Sequence, residues 1–172
     1  MQVHWIALDD KNRSVAILRE GPGHGEWSPR VLLVPIEPPQ AKAIARALGE
    51  GQSVRPMTHD LLVSTLEATD AEVLCVLLQP DERPGDSHFV PGVQRRCSRG
   101  ERGYAGEVHV QHEGAVYRLP AAAGDALALA VLADAPVMVS WELADKRTVL
   151  LQEDDSDELA RFRHLMRGIE AS

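Results

Sequence analysis

The apolar positions of the chain first gather in two short runs, residues 2 to 9 and 14 to 19, which predict a pair of strands. Asp9-Asp10-Lys11-Asn12-Arg13 between them is rich in residues that turn a chain. Val31 to Ile36, apolar and β-branched, predicts the next strand. Pro38 and Pro39 stop it and suit the first turn of a helix. Ala41, Ile44, Ala45 and Leu48 then recur at helical spacing, with Lys42 and Arg46 off that stripe on a solvated face. Gly49 and Gly51 end this helix. A second helix is expected from Thr58 to about Ala68, with Thr58 as N-cap and Leu62 and Leu66 buried. Val73 to Leu78 is continuously apolar and predicts a central strand covered on both faces.

Further along, Glu107 to Gln111 alternates, with Val108 and Val110 inward. Glu113-Gly114 makes a tight turn, and Ala115, Tyr117 and Leu119 continue on the partner strand. Alternation puts His109 and His112 on opposite faces, so they are read as surface histidines and not as a shared metal site. Gly124 opens a third helix, Asp125 to Ala133, apolar nearly all round and therefore buried. Val137 to Trp141 is the last predicted strand. An acidic linker, residues 153 to 158, leads to a Ser156-capped amphipathic helix carrying Leu159, Phe162, Leu165, Met166 and Ile169 on one side. The fold class expected is α+β: a mixed, largely antiparallel sheet built from hairpins, with helices packed against it. Residues 1 to 145 form the expected domain, and 146 to 172 the linker and terminal helix.

Composition narrows the function. The 172 residues suffice for one domain with a real core. A net charge of −8 excludes a broadly basic surface, so any nucleic-acid contact must come from a local patch. Residues 80 to 102 lose all periodicity and contain the strongest such patch. There Arg95, Arg96, Arg99 and Arg102 outnumber Glu101, a local balance of +3. That segment reads as a solvated loop or as an arm that grips a phosphate backbone. Two cysteines make neither a disulfide framework nor half of a four-thiolate zinc site, and Cys75 reads as a small core residue. No apolar stretch approaches a membrane span, and Met1 to Trp5 shows no signal-peptide pattern, so a cytoplasmic protein is expected. Gly21 to Gly25 is followed by no helix and has no P-loop lysine, which counts against a nucleotide-binding enzyme.

The chemistry concentrates in Arg55-Pro56-Met57-Thr58-His59-Asp60-Leu61-Leu62. A cation, a hydroxyl, an imidazole and a carboxylate fall together at a helix start, where free N–H groups also favour anions. An ordinary capped helix would use the same residues. Asp125, a carboxylate at the mouth of an apolar helix, is open to the same two readings.

The octapeptide resembles the R-P-x-T-H-D-L-L signature of the bifunctional nuclease (BFN) domain family. Leu33 to Ala45 is similar to that family's strand-to-helix segment, Gly124 to Ala130 to the end of its R-P-S-D-A-I-A-L-A segment, and Asp134 to Val139 to the strand after it. The resemblance covers about residues 1 to 145, with the blocks in order. It implies phosphodiester hydrolysis of DNA and RNA. His59 would then be a general base or acid and Arg55 a phosphate clamp. Asp60 and Asp125 would orient groups or bind a divalent metal such as Mg²⁺ or Mn²⁺, with Glu37 as a possible third ligand. No nucleotide or organic cofactor is implied. Lys42, Arg46, Arg95, Arg96 and Arg99 are the candidate nucleic-acid contacts. A homodimer or higher homo-oligomer is expected, because the apolar third helix and the amphipathic terminal helix suit subunit contact. This chain departs from the pattern at three places: Gln40 replaces an acidic residue, Glu37-Pro38 replaces Ile-Gly, and Ala122-Ala123-Gly124-Asp125 replaces R-P-S-D. Loss of a cation there predicts weakened activity. It also supports an alternative, a non-catalytic oligomeric binding or regulatory protein on the same scaffold.

Overall fold

The computed structural model describes residues 1–8, 13–20, 30–49, 56–81 and 103–150. The first turn, the glycine loop at 21–25, Arg55, the arginine-rich segment and the linker with its terminal helix lie outside the described residues.

Strands β1 (Gln2–Leu8), β2 (Ser14–Arg19) and β3 (Arg30–Pro35) form an antiparallel meander. Helices α1 (Pro38–Ala47) and α2 (Thr58–Ala68) follow, then β4 (Glu72–Pro80). The hairpin β5 (Tyr104–His112) and β6 (Ala115–Ala122) turns at Glu113-Gly114, both with positive φ. Helix α3 (Ala123–Leu132), β7 (Val137–Val139), helix α4 (Trp141–Arg147) and the short β8 (Val149–Leu150) complete the described chain. The fold is α+β, and among the described residues the strands lie in two four-stranded sheets, ordered β1-β2-β3-β8 and β6-β5-β4-β7. All pairings among the described residues are antiparallel except β4 with β7. A parallel pair needs a crossover, and α3 supplies it, carrying the chain from the β6 edge to the β7 edge.

One core joins the two sheets. Leu18, Leu32 and Val34 from the first, Val76 and Leu78 from the second, Ile44 of α1, Leu127 of α3 and Leu143 of α4 are essentially without exposure. Helix α3 is buried nearly all round and packs on α1, α2 and strands β3 to β6. It comes this close because Gly106 on β5 has no side chain. A Cβ there would sit 2.6 Å from the Cβ of Ala126 and 3.2 Å from the Ala122 carbonyl oxygen.

Several sequence expectations are corrected. Residue Thr58 is not the cap of α2. Met57 holds the cap position, and Asp60 Oδ2 accepts from the Met57 N–H at 2.5 Å. The carboxylate reaches back where the hydroxyl was expected to reach forward. Leu62 is not buried but 43% exposed, and Leu61 is 65% exposed. The second helix meets the core through Val63 and Leu66, because it touches α3 along one narrow flank. Strand β4 buries Val73, Val76 and Leu78, while its other face is only half covered. His112 lies on the same face as Val108 and Val110, with its Nδ1 buried and unpartnered, so it is not a plain surface histidine. Its neighbour His109 pairs with Glu107 at 2.7 Å. The expected last strand, 137 to 141, stops at Val139, because Ser140 caps a helix that the periodicity missed. Ser140 Oγ accepts from the Leu143 N–H, and Glu142 lies in the first turn.

Candidate functional site

Three helix starts meet at one carboxylate. Gln40, His59 and Asp125 all lie in first turns, those of α1, α2 and α3. Gln40 Nε2 donates to Asp125 Oδ1 at 2.7 Å. His59 Nε2 lies 3.0 Å from the same oxygen. An ionised carboxylate only accepts, so His59 carries its hydrogen on Nε2 and donates it. The basic nitrogen of the neutral ring is then Nδ1. The imidazole side chain is 12% exposed and the Asp125 side chain 44% exposed, so the ring is packed while its partner stays open to water.

Close packing brings the three starts together. A Cβ on Gly124 would lie 3.3 Å from both Gln40 Cγ and Ile36 Cγ2, so the head of α1 rests directly on the head of α3. The positive ends of the helix dipoles suit the Asp125 charge, and would suit a second anion beside it. Gln40 is the participant that sequence reasoning missed. Its only signal was its place opposite an acidic residue of the family pattern. Its Oε1 is buried and has no hydrogen-bond partner among the described residues.

Beside His59, Asp60 forms an ion pair and hydrogen bond with Arg46 Nη2 from the last turn of α1. Arg46 was expected on a solvated face. Instead it is four-fifths buried, because the pair closes α1 onto α2. Lys42 is exposed, as expected. Residue Glu37 holds the cap position of α1 and is exposed. Arg55, Arg95, Arg96 and Arg99 lie outside the described residues. His59 and Asp125 are therefore in direct contact, and Asp60 adjoins them through the chain. No group of three or more His, Cys, Asp or Glu among the described residues is arranged to hold a metal ion. Asp60 is occupied by Arg46 and the Met57 N–H, and Asp125 by His59 and Gln40. Asp60, Asp125 and Glu37 are thus not gathered into one three-carboxylate cluster among the described residues.

The Asp60 carboxyl has a lowered pKa. Burial alone would raise it, but the Met57 N–H, Arg46 and nearby His59 together outweigh that. A carboxylate held below its unfolded value, about 3.9, contributes stability that is present above that pH and is lost as pH falls through the folded value. Asp60→Asn is therefore expected to flatten the acid limb of stability. Wild-type melting temperature should drop more steeply than the variant's between about pH 5 and pH 3. Parallel curves would mean that the pair contributes nothing.

Residues 23–81 match the family model described as the bifunctional nuclease domain. No curated protein matches the chain. The matched range contains β3, α1, α2 and β4, and with them Gln40, Arg46, Arg55, His59 and Asp60. Asp125 lies beyond it in sequence and reaches it through space. Over residues 23–81, about a third of its 172 residues, the chain is thus similar to the bifunctional nuclease domain, the family its sequence resembles.

Proposed function

We propose that the protein hydrolyses phosphodiester bonds in DNA and RNA, with His59 as general base and Asp125 as the group that orients it. The observation that carries this reading is the contact of His59 Nε2 with Asp125 Oδ1 at 3.0 Å across two helix starts 66 residues apart. Neutral His59 takes a proton from water on Nδ1, and the water oxygen forms the new P–O bond as the old one breaks. The leaving oxygen takes a proton from solvent or from the imidazolium. The Asp125 carboxylate stabilises that imidazolium, as a neutral group could not. Arg55, four residues before His59, is the cation we assign to the phosphate, and Arg46, already neutralised by Asp60, holds α2 in place. Lys42, Arg95, Arg96 and Arg99 are proposed contacts to the rest of the nucleic-acid backbone.

Plasmid DNA and RNA degradation by purified wild type and His59→Ala, with and without EDTA, tests the reading. Wild type should cleave, and His59→Ala should lose roughly 10²–10⁴-fold. Equal cleavage by both would point to a contaminating nuclease. The EDTA arm reads whether Mg²⁺ or Mn²⁺ takes part.

A homo-oligomer is the assembly proposed with this activity. Val116, Tyr117 and Leu119 are exposed on β6, an edge strand of the second sheet among the described residues, and such edges favour pairing. Light scattering should give a mass above the 18.8 kDa of one chain. Among the described residues no helix is long and apolar enough to cross a membrane. The second reading, a binding protein without catalysis, is favoured by the net charge of −8. It would show as salt-sensitive nucleic-acid binding with no cleavage.

A further inference from the structure

We infer that Gln40 is a positioning residue for the His59–Asp125 pair: its side-chain N–H anchors Asp125 Oδ1 where the imidazole can meet it. Turnover as a readout rests on the nuclease reading, and a second readout below does not. Asp125 Oδ1 has two donors, Gln40 Nε2 at 2.7 Å and His59 Nε2 at 3.0 Å. The Gln40 bond joins α1 to α3, and the His59 bond joins α2 to α3. Asp125 is 44% exposed, so packing does little to hold its carboxylate in one rotamer. The amide is what ties it down.

The chemistry of the amide makes this specific. If the amide were flipped, its oxygen would face the Asp125 carboxylate, two acceptors in contact. Asp125 therefore selects the orientation in which Nε2 points at it. The consequence is visible on the other side of the group, where Gln40 Oε1 is left buried without a partner among the described residues. An unmet buried acceptor costs stability, so the amide is placed for its donor at the expense of its acceptor. Gly124 makes the placement possible, because the Gln40 side chain lies against its backbone and a Cβ there would be 3.3 Å from Gln40 Cγ. Among the described residues, Arg46 of α1 and Asp60 of α2, next to His59, are bonded to each other, so neither supplies this anchor.

Two variants separate positioning from packing. Gln40→Leu removes the donor at every pH and should lower kcat roughly 10- to 100-fold with KM little changed, since Gln40 acts through Asp125. Gln40→Glu keeps the length, but its carboxyl can donate to Asp125 only when protonated. Two carboxyl groups in contact share one proton, and hold it to higher pH than either would alone. Gln40→Glu should therefore be as impaired as Gln40→Leu at pH 8, and should recover toward wild type as pH falls toward 5.5. A packing role would give no such divergence.

The second readout is the ¹⁵N spectrum of the His59 ring. Wild type should hold the hydrogen on Nε2, and Gln40→Leu should show a mixture of tautomers. Wild-type kcat together with an unchanged tautomer in Gln40→Leu would overturn the inference. If wild type fails to cleave at all, the nuclease reading falls, and the tautomer alone decides the role of Gln40: unchanged rejects it, mixed supports it.

Discussion

Asp125→Asn is expected to lower turnover on plasmid DNA by roughly 10²–10⁴-fold while the protein stays folded. The reason is charge more than shape. Asparagine can still offer an oxygen to Gln40 Nε2 and His59 Nε2, which both contact Asp125 Oδ1, so the local geometry has a way to persist. A neutral amide cannot stabilise the imidazolium that forms when His59 takes a proton. It can also turn its own N–H₂ toward the ring and select the other tautomer. At 1.36 kcal/mol per decade, the expected loss is about 2.7 to 5.4 kcal/mol of transition-state stabilisation. The stability cost should be far smaller. Removing a negative charge from a helix start costs typically 0.3–1 kcal/mol, and the Asp125 side chain is already 44% exposed. Activity and stability should therefore separate cleanly. If turnover and melting temperature fall together, Asp125 is structural, and His59 must find its orienting partner elsewhere.

Gly106→Ala should produce the opposite pattern, a loss of stability that drags activity with it. The added Cβ would meet the Ala126 Cβ at 2.6 Å, with the Ala122 carbonyl oxygen at 3.2 Å. Neither neighbour is the far end of a flexible chain. Both are fixed to the start of α3, so the helix itself must move. Overpacking of this kind typically costs about 1–3 kcal/mol. In a chain of this length each kcal/mol lowers the melting temperature by roughly 2–4 °C. The clash also has a chemical consequence, since Ala126 is next to Asp125 and α3 cannot shift without moving the carboxylate away from His59 and Gln40. A size swap provides the control. Ala126→Gly should cost about 1 kcal/mol alone through helix propensity. The double variant should be more stable than the sum of the singles, with a coupling of roughly 0.5–3 kcal/mol. Strict additivity would show that the β5–α3 approach is looser than the distances imply.

Secondary structure was largely legible because its signals are local. The spacing of Ala41 and Ile44, the prolines at 38 and 39, and the alternation of Val108 and Val110 each depend on the next few residues alone. The start of α2 was readable to within one residue, although Asp60, not Thr58, does the capping. The helix at Trp141 was missed, although Ser140 was available as a cap, because seven residues are too few to establish a period. Leu62 was misjudged because helical spacing shows that an apolar stripe exists, and not whether a neighbour is wide enough to cover it.

By itself, then, the sequence determined most of the α+β elements, the carboxylates in the first turns of α2 and α3, and the shortlist containing His59, Asp60 and Asp125. Tertiary structure alone decided which of these residues meet. Gln40, His59 and Asp125 touch across separations of 66 and 85 residues. Arg46 turns inward to Asp60 instead of outward to solvent. The physical reason is that a long-range contact is set by how closely helices and sheets approach. Here that approach hangs on missing side chains at Gly106 and Gly124, and a missing side chain leaves no periodic trace in a sequence.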